Sequence, residues 1–249
     1  NNLGVALQEQ GRLKESIQAY QQAIHIQPDY ASTYNNLGLA LKEQGKLEES
    51  IQAYQKAIEI QPQFLAGHYN LGNVLQEQGR LEESIQAYQK AIHIQPDYAD
   101  AYSNLGNALQ EQGRLEESIQ ACQKALEIRP NYADAYTNLG VALRQQGRLE
   151  ESIQAYQQAI RIQPNHPKMH NNLGLVLKEH RKLEESVDAY QQAIHIQSDY
   201  AEAHVNFGII LLLKGNLFRG WEKYEWRWKC SNFPSEKWDF PQPSRVEPI

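Results

Sequence analysis

The sequence repeats itself with a fixed period of 34 residues. Aligned with itself at that offset, it places seven glycines in one column: Gly4, Gly38, Gly72, Gly106, Gly140, Gly174 and Gly208. A fixed period of this length indicates a solenoid, in which each repeat is too small to bury its own core and packs on its neighbours. We therefore expect a chain that grows by addition of repeats, without one central core.

Each repeat is predicted to form two antiparallel helices, called here helix A and helix B. In the repeat at residues 99–132, apolar residues recur every three or four positions over 99–112 and again over 115–128. Gly113 lies between the two helices and Pro130 follows the second. We expect the glycine to end helix A in the left-handed conformation, which costs glycine little. Arg181 stands at this position in one repeat.

Side-chain caps are predicted where each helix A begins. Asp97, Asn131 and Asp199 each precede an acidic residue by three positions. This spacing is typical of a capping box, so we expect these side chains to accept hydrogen bonds from the first turn.

The repeat resembles the tetratricopeptide repeat, whose pattern is aromatic, Leu-Gly, large, small, aromatic, Ala and Pro. In the repeat at 133–166 these places are held by Tyr136, Leu139, Gly140, Leu143, Ser152, Tyr156, Ala159 and Pro164. The resemblance implies an all-α fold, a right-handed superhelix of antiparallel helix pairs. Serine replaces the usual alanine at the small position, where we expect it to act only as a small packing residue.

The period also sets the predicted boundaries. We expect an array over residues 1–234 and an extended Pro-rich tail over 235–249. The chain opens inside a repeat, so we expect it to be a piece of a longer protein. The array comprises a partial repeat at 1–30 and full repeats at 31–64, 65–98, 99–132, 133–166, 167–200 and 201–234.

Composition argues against several functions. The net charge is −6 with dispersed Lys and Arg, whereas nucleic-acid binding needs a clustered basic face. The longest apolar run, residues 209–213, is too short to span a bilayer. We find no phosphate-binding Gly loop or metal-binding spacing, and the i, i+4 pair His166 and His170 is better explained by packing. We therefore expect no nucleic acid, membrane, metal, cofactor or catalytic site, and a cytoplasmic location.

Asparagine supplies the strongest functional signal. It occupies one position of helix A, two residues before the glycine, in every repeat, whereas the preceding residue varies. Helical phase places it opposite the buried stripe, where an amide can pair with both C=O and N–H of a peptide. We predict a ladder for an extended peptide or protein segment, formed by Asn2, Asn36, Asn70, Asn104, Asn138, Asn172 and Asn206, with Asn73 and Asn107 one turn further on.

The asparagine column has two alternatives to ligand binding, and both stay open: the amides bond to the adjacent repeat, or recent duplication copied them. The column resembles that of the tetratricopeptide arrays of O-linked N-acetylglucosamine transferases and kinesin light chains, where such asparagines hold peptide backbone. This resemblance implies that helix A lines a concave groove and that the ladder binds ligand. The same face carries apolar Val5 and Leu39 and acidic Glu9 and Glu43, so we expect a partly apolar, mildly acidic groove.

The last repeat departs from the pattern. Trp221, Tyr224 and Trp228 take predicted core positions, whereas Leu213 and Trp226 point outward by helical phase, as Leu212 also does. Apolar surface of this kind favours self-association through the array ends. The stretch GWEKYEWRW, followed by FPQP, resembles the junction of bacterial tetratricopeptide arrays with glycosyltransferase domains. That resemblance implies an alternative function as the substrate-recognition arm of a glycosyltransferase whose catalytic domain is absent here.

Overall fold

The computed structural model describes residues 1–230, and the predicted tail at 235–249 lies outside the described residues. Within 1–230 the secondary structure is entirely helical, which confirms the all-α fold class. The chain divides into two compact units, an N-terminal unit Asn1–Pro164 and a C-terminal unit Asn165–Ile249.

The N-terminal unit contains five helix pairs. Its A helices run side by side. Each B helix packs on its own A helix, and each of the first four B helices also packs on the A helix that follows. The A helices are α1 (Asn2–Glu9), α3 (Ala31–Glu43), α5 (Leu65–Glu77), α7 (Ala99–Glu111) and α9 (Ala133–Gln145). The B helices are α2 (Leu13–Ile26), α4 (Leu47–Ile60), α6 (Leu81–Ile94), α8 (Leu115–Ile128) and α10 (Leu149–Ile162).

The C-terminal unit continues the same pattern. Its A helices are α11 (Pro167–Glu179) and α13 (Ala201–Leu213), and its B helices are α12 (Leu183–Ile196) and α14 (Leu217–Tyr224). A short 3-10 helix, Glu225–Lys229, follows α14.

A glycine, a tyrosine and a serine hold the two helices of a repeat together. A Cβ added to Gly72 would lie 2.6 Å from the ring of the buried Tyr88, so only glycine permits this approach. The buried Ser84 hydroxyl donates to the Gly72 carbonyl oxygen at 2.8 Å. The same bond recurs in the other five repeats with this serine, from Ser16, Ser50, Ser118, Ser152 and Ser186 at 2.6–2.8 Å. The serine is therefore a structural donor as well as a small residue.

The predicted glycine stop of helix A is confirmed. Gly113 has φ 82°, and Gly11, Gly45, Gly79, Gly147 and Gly215 have similar values. Arg181, at the corresponding position, has φ 63°. The backbone conformation is thus imposed by the repeat and not by the residue that occupies it.

The predicted side-chain caps are wrong. The residues before α7, α9 and α13 are Tyr98, Tyr132 and Tyr200, and none of these helices has a side-chain cap hydrogen bond. Aromatic packing holds this position instead. The Tyr98 ring lies 5.0 Å from that of Tyr69, and the Arg129 guanidinium lies 4.6 Å above the Tyr132 ring.

The predicted orientation of the last aromatic residues is also wrong in part. Trp221, expected in the core, is 54% exposed, and Trp228 is 43% exposed. Trp226, expected to point outward, is half-buried and stacks on His204 with ring centroids 3.9 Å apart. For Trp226 and Trp228 the reason is that α14 ends at Tyr224, and the 3-10 helix after it turns each residue by a larger angle than an α-helix does.

Candidate functional site

The asparagine column lies on one side of the A helices, called here the A face. The column is less exposed than helical phase alone predicts. Asn2 is exposed, whereas the six later members of the column are half-buried. In the N-terminal unit the reason is the neighbouring A helix, which covers one edge of each asparagine.

Five of the asparagine amides reach the preceding repeat. Asn36 Nδ2 donates to Asn1 Oδ1 at 3.1 Å, and Asn70 Nδ2 donates to Asn35 Oδ1 at 2.9 Å. Three further members of the column make corresponding bonds: Asn104 to the Tyr69 hydroxyl at 3.1 Å, Asn138 to Ser103 Oγ at 3.2 Å, and Asn206 to Asn171 Oδ1 at 3.0 Å. These contacts match the alternative in which the amides bond to the adjacent repeat.

The residue that accepts this bond always stands just before the asparagine of the preceding repeat. Sequence reasoning treated that position only as variable and missed its role. The signal was available, because all but the last of its seven occupants carry a side-chain oxygen: Asn1, Asn35, Tyr69, Ser103, Thr137, Asn171 and Val205. The variation keeps the acceptor while changing the side chain that supplies it.

The inter-repeat bond uses only part of each amide. An asparagine side chain has two N–H donors and one carbonyl acceptor. The bond to the preceding repeat takes one donor of Asn70 and of Asn206, whereas Asn104 Nδ2 makes two such bonds, to Tyr69 and Asn73. This bonding also fixes the side-chain orientation before any ligand binds. The rest of the amide can therefore pair with a peptide without an additional loss of side-chain freedom.

Asn73 and Asn107 each bond to a side chain of their own repeat. The Tyr88 hydroxyl lies 2.8 Å from Asn73 Oδ1, which also accepts from Asn104 Nδ2 at 2.9 Å. Asn107 Nδ2 donates to Glu111 Oε1 at 3.0 Å. Tyr88 is replaced by Cys122 in the next repeat, which accounts for the difference between the two asparagines.

A second row of inter-repeat contacts follows the C-terminal ends of the A helices. Gln8 Nε2 donates to Glu43 Oε1 at 2.9 Å, and Gln76 Nε2 donates to Glu111 Oε1 at 2.9 Å. Between them, Lys42 Nζ lies 3.3 Å from Glu77 Oε2. On this edge of the A face, Glu77 therefore has a cationic partner, whereas Glu43 and Glu111 have neutral amide partners.

An open pocket of about 330 Å³ lies on the A face between α1 and α3. It combines apolar, amide and acidic groups. Its lining residues are Val5, Gln8, Glu9, Tyr20, Asn36, Leu39 and Glu43.

The remaining candidates for chemistry are packing or surface residues. His25, His93 and His195 are exposed on the B helices, as helical phase predicts. Cys122 is buried, and burial raises the pKa of its thiol to about 12, so it stays protonated at neutral pH. Among the described residues there is no group of three or more His, Cys, Asp or Glu side chains placed to hold a metal ion. In residues 1–230, the longest and most apolar helices still fall short of what a membrane crossing requires.

Antiparallel helix pairs stacked with a 34-residue period define a helical repeat protein of the binding-scaffold class. Comparison with family models identifies the family of repeat proteins. A model described as TPR repeat matches residues 4–45, 39–79 and 73–113, and a model described as Tetratricopeptide repeat matches residues 97–165 and 133–199. The chain belongs to the tetratricopeptide repeat family, whose members act as scaffolds that bind proteins or peptides. A comparison with curated proteins found no match.

Solved structures of tetratricopeptide proteins share the fold. YrrB, described as a TPR protein with an unusual peptide-binding site, is 24% identical with a TM-score of 0.60, and the match covers 80% of this chain and 98% of YrrB. A tetratricopeptide repeat protein from Parabacteroides merdae is 17% identical with a TM-score of 0.76, covering 95% of this chain and 92% of that one. The APC/C hetero-tetramer Cut9–Hcn1 is 18% identical with a TM-score of 0.76, covering 92% of this chain and 45% of the other.

Proposed function

We propose that the A face holds an extended peptide or protein segment through the asparagine column. The observation that carries the proposal is the orientation of these amides. Among the described residues, these contacts leave one N–H and the carbonyl oxygen of Asn70 for a second partner, and the carbonyl oxygens of Asn104 and Asn138. The peptide-binding site of YrrB is consistent with such a role for a tetratricopeptide array.

The expected affinity is modest. Each amide–backbone hydrogen bond adds only about 0.5–1.5 kcal/mol net, because both groups give up hydrogen bonds to water. Binding also orders the extended ligand, which offsets part of the gain. Several asparagines acting together give an expected dissociation constant on the order of micromolar.

The structure offers a matched pair of variants for the test. The ligand variant carries Ala at Asn70, Asn104 and Asn138, and so removes the amides together with their inter-repeat bonds. The acceptor variant, Asn35→Ala with Tyr69→Phe and Ser103→Ala, removes side-chain acceptors of the same three amides but keeps the amides. Both are compared with the parent chain in a pull-down from the source lysate, with helicity matched by circular dichroism.

The proposal predicts that the ligand variant loses captured proteins that the parent and the acceptor variant retain. Equal losses in both variants would show that the inter-repeat bonds matter and the amides do not bind ligand. Identical captures by all three proteins would also contradict the proposal. A fall in stability as large as that of a core truncation, found only in the ligand variant, would assign the column to folding.

The alternative of a glycosyltransferase recognition arm rests on the resemblance of GWEKYEWRW and FPQP alone. The full-length reading frame tests it, because a stop codon soon after Ile249 contradicts it. In either case the groove chemistry and the proposed cytoplasmic location are the same.

A further inference from the structure

The pocket between α1 and α3 joins two aliphatic side chains from successive A helices, an arrangement that the rest of the A face of the N-terminal unit does not repeat. Two apolar side chains, Val5 and Leu39, are 36% and 39% exposed at equivalent positions of successive repeats. The corresponding positions in the next two repeats are Asn73 and Asn107. The pocket therefore offers an aliphatic surface where the next two repeats offer amides.

Two carboxylates border this aliphatic surface. Glu9 and Glu43 are exposed, and no Lys or Arg of the described residues forms an ion pair with either one. Glu43 accepts one hydrogen bond, from the neutral Gln8 amide. By contrast, the equivalent Glu77 pairs with Lys42, although Lys42 is adjacent to Glu43 in sequence. The negative charge at this pocket is therefore left for an external cation.

Both carboxylates act on the floor of the same pocket. The Tyr20 hydroxyl lies 3.1 Å from Gln8 Oε1. The pKa of Tyr20 is raised, first by burial and then by the charges of Glu43 and Glu9. Asn36 completes the lining, with one N–H bonded to Asn1.

We infer that this pocket binds a Lys or Arg side chain and an aliphatic side chain, two positions apart, on an extended peptide. In an extended chain, residues i and i+2 point to the same side, so both side chains can enter together. The basic side chain would pair with Glu9 and Glu43 while its methylene stem lies along Val5 and Leu39. This inference rests on the proposed function and adds the chemistry of the partner.

The test is a selection from a random 12-residue peptide library displayed on phage, at low ionic strength. The parent chain is compared with a variant carrying Glu9→Gln and Glu43→Gln. The control, Glu59→Gln with Glu127→Gln, makes the same change in net charge at exposed B-helix carboxylates outside the pocket.

The inference predicts that the parent and the control select peptides with Lys or Arg two positions from Leu, Ile or Val. The pocket variant should lose that preference. In titrations by fluorescence anisotropy it should bind the best such peptide about 3- to 10-fold more weakly, the range expected for partly exposed ion pairs. Raising the salt concentration should reduce the difference.

The results that would contradict this inference alone differ from those that would also contradict the proposed function. Peptides selected without this pattern, or selected equally by the pocket variant, would overturn the inference and leave the asparagine proposal intact. Failure of the parent to select any peptide would overturn both.

Discussion

The serine of each B helix is the side chain whose role sequence reasoning most understated. It is fully buried in the repeats where it occurs, and its hydroxyl donates to the carbonyl oxygen of the glycine that defines the period. An alanine of similar size would fill the space without making the bond. The serine and the glycine therefore form one structural pair, separated by 12 residues in sequence.

Substitution of this serine should lower stability by a small, measurable amount. Ser84→Ala removes one buried hydrogen bond, so the free energy of unfolding should fall by about 0.5–1.5 kcal/mol. Urea unfolding followed by circular dichroism measures the change. The control is Gln86→Ala, an exposed position on the same helix, which should leave the free energy within about 0.5 kcal/mol of the parent. Equal effects of the two substitutions would show that the hydroxyl bond contributes nothing.

Side-chain roles were predictable where the period fixes them and not where neighbours decide them. The glycine column predicted close packing, and the structure places Tyr88 against Gly72. The partial burial of Asn70 could not be read from helical phase, because phase describes one helix and the burial comes from the next. Whether the same amide also binds a ligand stays a prediction.

The end of helix A offers a direct test of backbone strain. Arg181 has φ 63°, where the other described repeats have glycine, and a side chain in this conformation costs about 1–2 kcal/mol. Arg181→Gly should therefore raise the free energy of unfolding by about 1 kcal/mol, since glycine's greater freedom in the unfolded chain offsets part of the gain. Urea unfolding of the variant and the parent measures it.

The reciprocal substitution provides the control. Gly147→Arg places a side chain at φ 81° and should lower the free energy of unfolding by a comparable amount. If Arg181→Gly is neutral or destabilising, Arg181 must make stabilising contacts that outweigh the strain.

The junction of α13 with the 3-10 helix should make the C-terminal unit sensitive to acid. His204 is buried against Trp226, Nε2 donates to the Ser198 carbonyl oxygen at 2.9 Å, and Nδ1 has no hydrogen-bond partner among the described residues. Burial lowers the pKa of His204 below 6.5; the hydrogen bond to Ser198 and the charge of Glu222 oppose this shift, and Lys223 and Lys229 add to it. Protonation therefore opposes folding.

The sign of the pH dependence follows from that lowered pKa. Above pH 6.5 the histidine is neutral in both states and its contribution to stability is complete. As the pH falls, the unfolded chain takes up the proton first, so stability declines through pH 6.5 and further until the lower folded-state pKa is passed. The urea midpoint, followed by tryptophan fluorescence, should be lower at pH 5 than at pH 7. His204→Tyr should reduce this difference, whereas His195→Tyr, at an exposed position, should not.

The array as a whole was predictable because the same sequence pattern recurs in every repeat. The period, the helix pairs and the family follow from patterns that recur from Gly4 to Gly208. The last repeat shows the limit of this reasoning. Its residue at the core position is Trp221, but its counterpart Ile119 is buried by Ala142 and Leu143 of a following repeat. In the internal repeats this position is buried by the repeat that follows. The described residues contain no helix pair after α14, so Trp221 is not covered in the same way.

The exposed apolar side chains of α13 and α14 lead to the prediction of self-association. Leu213, Leu217, Phe218 and Trp221 are between 54% and 84% exposed, and a pocket of about 390 Å³ lies between α13 and α14, lined by Leu213 and Trp221 among others. Apolar surface of this kind is stabilised when another chain covers it.

We expect the molecular mass measured by static light scattering to rise with concentration. Phe218→Glu with Trp221→Glu should abolish that rise, because a carboxylate buried without a partner is strongly disfavoured. Gln21→Glu with Gln22→Glu adds the same charge on the exposed side of α2 and should leave the rise unchanged. A constant monomer mass across the dilution series, or equal effects of the two variants, would contradict association through this end.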